Sequence, residues 1–189
     1  VQAQNSVYLN MSATAADIEK AINEVELLLA AWDEGHVNPL IPVDKTSLIV
    51  NPSYDNNKND GWKGTTPGLQ NYDNAEHYNK TFDTYQDLIN VPNGLYKLSV
   101  QGFYRPATEG ITGAVFYADN GIDRLTVDVP NINSESELVA KPNNMQTASE
   151  AFHAGYYDAE LFVDVNNGTL RIGVALPQLT GSADWVMWD

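Results

Sequence analysis

Residues 96–104 read YKLSVQGFY. Tyr96, Leu98, Val100 and Tyr104 share one parity, and Lys97, Ser99 and Gln101 share the other. Side chains alternate across an extended chain, so this spacing predicts a β-strand with one apolar face. Pro92-Asn93-Gly94 directly before it is a turn signal. Similar runs follow on both sides. GAVFYA ends at Asp119-Asn120-Gly121, and LTVDV sets Leu125, Val127 and Val129 on one side. DAELFVDV alternates Ala159, Leu161, Val163 and Val165 against Asp158, Glu160 and Asp164. Asn166-Asn167-Gly168 then leads into TLRIGVAL, with Leu170, Ile172, Val174 and Leu176 on one face. Asn-Gly is the strongest short hairpin signal. Leu48-Ile49-Val50 reads as an early strand and DWVMWD as the last. Seven or eight one-faced strands without β-α-β alternation predict an all-β, antiparallel β-sandwich.

One segment breaks this texture. Ile18, Ala21, Ile22, Val25, Leu28, Leu29 and Trp32 recur at helical spacing. Thr14 and Asp17 stand as a capping box before them, and Gly35, Pro39 and Pro42 read as the stop. The expected organisation is an N-terminal helical extension over residues 1–45 and a β-sandwich over 46–189. A lone amphipathic helix cannot bury its stripe, so it must pack on a neighbouring domain or a partner.

The 189 residues suit one good-sized domain. Against 25 acidic residues there are 10 basic ones, a net charge of −15, which disfavours nucleic acid and anionic membrane surfaces. There is no cysteine, so disulfides, thiolate zinc sites and cysteine nucleophiles are excluded. No run approaches the roughly 18 apolar residues of a membrane span. The N-terminal VQAQN is compatible with a mature end left by signal cleavage.

Catalytic patterns are missing. His36, His77 and His153 are scattered, and there is no HExxH, no GxSxG and no phosphate-cradling glycine loop. Asp158, Glu160 and Asp164 alternate opposite an apolar set, which reads as a solvated outer face. The chain is therefore expected not to be an enzyme. Tyrosine dominates its aromatics, with ten Tyr against five Phe and four Trp. Tyr and Trp suit surfaces that are apolar on one side and wet on the other, which is the character of a carbohydrate site. The polar stretch from Asn51 to Lys80 holds Tyr54, Trp62, Tyr72 and Tyr78 among many Asn, Asp and Gly. Within it, Asp55, Asn57 and Asn59 match the opening of an EF-hand loop. Asp60 stands at the glycine position and Thr66 at the closing carboxylate, so the EF-hand is rejected. A second long polar stretch runs from Pro130 to Gly155 and reads as a functional or mobile loop.

Three blocks carry a resemblance: NPSYD with Gly61-Trp62, the run Ala75–Arg105, and DWVMWD at 184–189. Together they resemble jelly-roll modules of the galactose-binding-like superfamily, including carbohydrate-binding modules. GFYR is similar to a subgroup in secreted or surface proteins of gut Bacteroides-type bacteria. The resemblance covers about Leu48 to Asp189 and leaves the helix outside. It implies a secreted, periplasmic or cell-surface location, a polysaccharide or glycan ligand, and a structural calcium whose matching positions are Asp55 and Asp189. The expected sugar contacts are Trp62, Tyr72 and Tyr104 by stacking, with Asn71 and Arg105 by hydrogen bonding. Trp62 has two readings, a plug for the end of the sandwich or a sugar platform. The alternative function is a structural or protein-interaction sandwich that docks through the helix stripe.

Overall fold

The structure is a computed structural model, and it describes residues 14–33, 42–138 and 140–189. Among these, two five-stranded sheets face each other. The strands are β1 (Lys63–Gly64), β2 (Gly68–Gln70), β3 (Asn74–Tyr78), β4 (Phe82–Ile89), β5 (Gly94–Arg105), β6 (Val115–Asp119), β7 (Arg124–Asp128), β8 (Asp158–Val165), β9 (Thr169–Leu176) and β10 (Trp185–Trp188). The first sheet has the order β1-β4-β9-β6-β7 and the second β2-β3-β10-β5-β8. Every strand pair is antiparallel. This is the all-β sandwich that the alternation predicts.

The inner faces are the expected ones. Ala159, Leu161, Val163 and Val165 of β8 are buried, as are Leu170, Ile172, Val174 and Leu176 of β9. Tyr104, Phe82, Trp188 and Tyr54 join the same inter-sheet core. Burying a side chain of this size contributes roughly 1.5–3 kcal/mol, so this cluster dominates the favourable side of folding. Polar side chains also point inward, His77, Thr84 and Gln86 among them. His77 of β3 sits across from Thr84 of β4, its Nε2 2.9 Å from Thr84 Oγ1, and the Thr84 hydroxyl donates to the Thr65 carbonyl at 2.6 Å. Both lone groups of the hydroxyl are thereby used, which satisfies polar atoms that would otherwise be costly.

Four expectations need correction. Leu48-Ile49-Val50 is not a strand: Thr46–Leu48 forms a 3-10 turn. Val50 is held by a side chain instead, its N–H donating to Gln86 Oε1 at 2.7 Å while Gln86 Nε2 donates to its carbonyl at 3.0 Å. The amide of Gln86 thus takes the place of a neighbouring strand. The stretch 51–80 is not one loop but carries β1, β2 and β3. The stretch 130–155 contains a helix, Met145–His153. Finally, Asn166-Asn167-Gly168 does not close a hairpin. It carries the chain from β8 in the second sheet to β9 in the first. Gly168 has φ +74°, and Asn167 Nδ2 donates to the Asn120 carbonyl at 2.8 Å, pinning the corner. Asn120-Gly121 is a true hairpin, joining β6 to β7.

The N-terminal helix α1 spans Ala15–Asp33, with the predicted capping box present: Thr14 N–H and Oγ1 donate to Asp17 Oδ2, and Asp17 N–H donates to Thr14 Oγ1. Gly35 and Pro39, the expected stop, and the side chains of Leu28, Leu29 and Trp32 lie outside the described residues, as does Val1–Asn5. The second helix, α2 (Met145–His153), begins at Asn144, whose side chain accepts from the Thr147 N–H while Thr147 Oγ1 accepts from the Asn144 N–H. Met145, Ala148, Ala151 and Phe152 form its buried stripe. They seal Phe103, Tyr157, Trp185 and Met187 on the outer side of the second sheet.

Candidate functional site

The first sheet turns a different surface outward. On β4 the residues that alternate with buried Phe82, Thr84, Gln86 and Leu88 are Asp83, Tyr85 and Asp87. Register places Tyr85 opposite Gly173 of β9, and Gly173 opposite Tyr117 of β6. One row over, Asp87 pairs with Arg171 and Arg171 with Asp119, which in turn pairs with Arg124. Gly173 makes the rings fit. A Cβ there would lie 2.6 Å from Cζ of Tyr117 and 2.7 Å from the Thr84 carbonyl. Without one, the Tyr117 ring lies across β9 and its hydroxyl donates to Asp83 Oδ1 at 2.6 Å.

Each ring carries a guanidinium. Arg171 lies 4.0 Å from the centroid of Tyr85, and Arg124 lies 3.5 Å from that of Tyr117. Each arginine also meets a carboxylate: Arg171 Nε donates to Asp87 Oδ1 at 2.7 Å, and Arg124 stands 3.6 Å from Asp83 Oδ2. Lys63 closes the row on Asp87 at 3.0 Å. These charged side chains keep between 34% and 57% of their surface in water, so the ion pairs contribute little to stability. Their electrostatic effect is local. The Arg171 hydrogen bond, with help from Lys63, holds the Asp87 carboxyl below the usual carboxylate range. Burial and the neighbouring Asp83 push the Tyr117 hydroxyl far up, so it stays a donor. The face therefore offers carboxylate acceptors, guanidinium donors and planes, and the half-buried Tyr85 ring, while the Tyr117 ring is fully buried beneath Arg124 and serves to seat it.

The sequence-predicted site residues do not converge. Trp62 is half-buried, stacked on Tyr54 at 5.1 Å, and its indole N–H donates to the Asn51 carbonyl at 3.0 Å. Asn71 is exposed and accepts from the Asn57 side chain. Tyr72 packs at the edge of the cluster under α2, its hydroxyl 3.4 Å from Gln146 Oε1. Arg105 lies over the Trp185 ring at 4.6 Å, on the outer side of the second sheet. Tyr104 is 1% exposed, so its ring offers no face to a sugar, contrary to expectation. Its parity directs it into the inter-sheet core, where the hydroxyl donates to Asp184 Oδ1 at 2.8 Å.

Asp184 is a structural anchor that the sequence reading passed over. Burial would raise its pKa, but donors from Thr180, Ala107 and Tyr104 outweigh that and hold it down at about 2. The donors come from segments far apart in the chain, so the carboxylate ties them to β5. The outer residues of β4 were missed for a different reason. Thr84 and Gln86 occupy inward positions, so the apolar alternation that reveals a strand is interrupted.

The calcium positions can be tested for fit. Asp189 Oδ1 is buried and has no hydrogen-bond partner, and neighbouring Asn74 has a second such oxygen. Burial raises the Asp189 carboxyl, a hydrogen bond from Ser53 and the nearby His153 work against that, and Asp73 and Asp55 add smaller upward pushes. A buried carboxylate oxygen without a partner, with other carboxylates nearby, is of the kind a hard cation takes. Among the described residues no three His, Asp or Glu side chains gather closely enough to hold an ion alone, so backbone or amide oxygens would have to complete the shell.

No family model matches the chain, and no curated protein matches it in sequence. Among solved structures it is similar to TmCBM61, determined in complex with beta-1,4-galactotriose, at 14% identity and TM-score 0.43 over 74% of this chain and 91% of that one. It is also similar to BtGH115A, a family GH115 4-O-methyl-alpha-glucuronidase with specificity for decorated arabinogalactans, at 15% identity and TM-score 0.37. That match covers 67% of this chain but only 16% of the enzyme.

Proposed function

We propose that this chain is a non-catalytic glycan-binding module, and that the sugar lies along the outer face of the first sheet. The observation that carries the reading is the pair of Tyr–Arg stacks, Tyr85 with Arg171 and Tyr117 with Arg124, each tied to an aspartate. A sugar ring presents C–H groups to an aromatic or guanidinium plane and hydroxyls around its rim. Asp83 and Asp87 accept from hydroxyls, and Arg171, Arg124 and Lys63 donate to ring and hydroxyl oxygens. Charge-assisted bonds of this kind are the stronger ones. The lowered Asp87 carboxyl favours an acceptor over a general acid.

A glycan array followed by isothermal titration tests this. Tyr85→Ala and Arg171→Ala should each weaken binding at least about tenfold, or 1.4 kcal/mol, while Tyr78→Ala on the second sheet leaves it unchanged. Binding lost with Tyr78→Ala and kept with Tyr85→Ala would move the site. Absence of any binding up to millimolar sugar would remove the reading.

The module would work outside the cytoplasm, where polysaccharides are met. A structural calcium held by Asp55 and Asp189 would neutralise their repulsion and fasten the 51–62 loop to the end of β10. Adding EDTA should then lower Tm, and calcium should restore it; an unchanged Tm with no bound ion would eliminate the metal. The second reading, docking through α1, is favoured by one observation. Ile18 and Ile22 are 46% and 52% exposed. No described helix is long and apolar enough to cross a membrane.

A further inference from the structure

The outer face of the first sheet carries charge of both signs, and the register shows how the two are matched. Cross-strand partners share a face. Two more carboxylates therefore belong to this surface. Asp119 of β6 is the partner of both Arg171 and Arg124, and Asp128 of β7 is the partner of Val115, which has the parity of Tyr117. The cations Lys63, Arg171 and Arg124 thus stand among Asp83, Asp87, Asp119 and Asp128.

Those cations are already engaged. Asp87 uses both of its oxygens on them, Oδ1 accepting from Arg171 Nε at 2.7 Å and Oδ2 from Lys63 Nζ at 3.0 Å. Arg124 lies over the Tyr117 ring and 3.6 Å from Asp83 Oδ2. The other two carboxylates have no such match. Among the described residues neither Asp119 nor Asp128 is ion-paired. Asp119 Oδ1 accepts from the Gly121 N–H at 2.8 Å, and Asp128 is exposed. The surface therefore has no cation in excess, and it belongs to a chain of net charge −15.

We propose that this balance makes the face selective for uncharged glycans, with Asp83 and Asp87 as the residues that turn away sugars carrying a carboxylate. The inference rests on the glycan reading of the same face. A sugar carboxylate would draw Arg171 or Lys63 from Asp87, or Arg124 from Asp83, and would leave the aspartate beside it without a counter-charge. Like charges brought together in an interface are costly, and a repulsive element of this kind sets specificity against a competitor. A hydroxyl meets no such repulsion. It donates to the aspartates without disturbing their partners. It also accepts from N–H groups left over by the ion pairs, since a guanidinium has five and the bond to Asp87 takes only the one on Nε of Arg171. Those spare N–H groups attract a carboxylate too, but its charge would lie beside Asp83 and Asp87 with no further cation to offset it.

The test is isothermal titration with three forms of one oligosaccharide. They are the neutral sugar selected by array, the same sugar with a primary hydroxyl oxidised to a carboxylate, and the methyl ester of that acid. At about 0.05 M salt the acid should bind at least about tenfold more weakly than the neutral sugar. The ester, which keeps the added bulk and lacks the charge, should recover most of the loss. At about 1 M salt, where the Debye length is about 3 Å, the gap between acid and neutral sugar should narrow. Asp83→Asn with Asp87→Asn keeps an acceptor oxygen at both positions and should narrow the gap at low salt, whatever it does to neutral binding alone. If that pair fails to fold, Asp119→Asn with Asp128→Asn, which breaks no ion pair, should narrow it to a smaller extent. An acid bound as tightly as the neutral sugar, an ester as weak as the acid, or a gap that neither salt nor these variants change would overturn the proposal. Array hits confined to acidic glycans would overturn it and leave the glycan site in place, whereas no hits of either kind would remove the site and this selectivity together.

Discussion

The outer faces of the two sheets make opposite use of the same architecture. On the second sheet, Phe103, Trp185 and Met187 are apolar and lie at 0–3% exposure under α2. On the first sheet the outward positions hold Tyr85, Arg171, Asp87, Arg124 and Asp83, and their charged groups remain in water. An apolar outer face must be covered, and covering it fixes it. A face of paired charges and flat rings gains little from being covered and stays open to ligand. The outer face of the second sheet thus adds to the stability that both sheets share in their common core, while the outer face of the first sheet is the one proposed for glycan.

Mutations should separate them. Phe103→Ala leaves a cavity beneath α2 and should cost about 3–5 kcal/mol in urea unfolding, with sugar affinity of the remaining folded protein unchanged. A loss of affinity as large as the loss of stability would break the division. The inter-sheet core gives the next effect. Burial, aided by Lys80, lowers the His77 pKa to about 4. The folded chain thus keeps His77 neutral while the unfolded chain protonates it below about pH 6.5. Its contribution is complete above pH 6.5 and is lost as pH falls to 4, about 3 kcal/mol in all. His77→Gln should flatten that part of the pH–stability curve.

Asp184 titrates the other way. Its folded pKa of about 2 lies below the unfolded value near 3.9, so its contribution is complete above pH 4 and disappears toward pH 2. That amounts to about 2.6 kcal/mol, and Asp184→Asn should remove the acid-dependent part. The smallest stability effect belongs to the open face. Arg171→Ala should change unfolding by under about 1 kcal/mol, because its ion pair with Asp87 is exposed. A larger change would mean that the outer face of the first sheet holds the fold together after all.

The same division explains what could be read from the chain. β8 and β9 were legible because every inward residue is apolar and most outward neighbours are polar, Phe162 and Ala175 being the exceptions. β4 was not, since Thr84 and Gln86 sit inward on partners that only the folded chain supplies, Thr65 and Val50. α2 was hidden by its nine-residue length and its polar surroundings, although Asn144 with Thr147 and the Met145, Ala148, Phe152 spacing mark it. The expected sugar residues, three from the 51–80 stretch and two from the end of β5, share a chemistry but not a surface. Trp62, Tyr72 and Arg105 prove to be committed to Tyr54, to the cluster under α2 and to Trp185. The outer row on β4, β9 and β6 spans residues 83 to 171, and only sheet order brings it together.

Chemical-shift mapping of the chain with a sugar selected by array tests the central claim most directly. The account predicts perturbations centred on Tyr85, Arg171, Tyr117 and Arg124, with little change at Trp185 or Arg105. Perturbations centred on Tyr78, Trp185 and Arg105, with the first sheet unmoved, would contradict it.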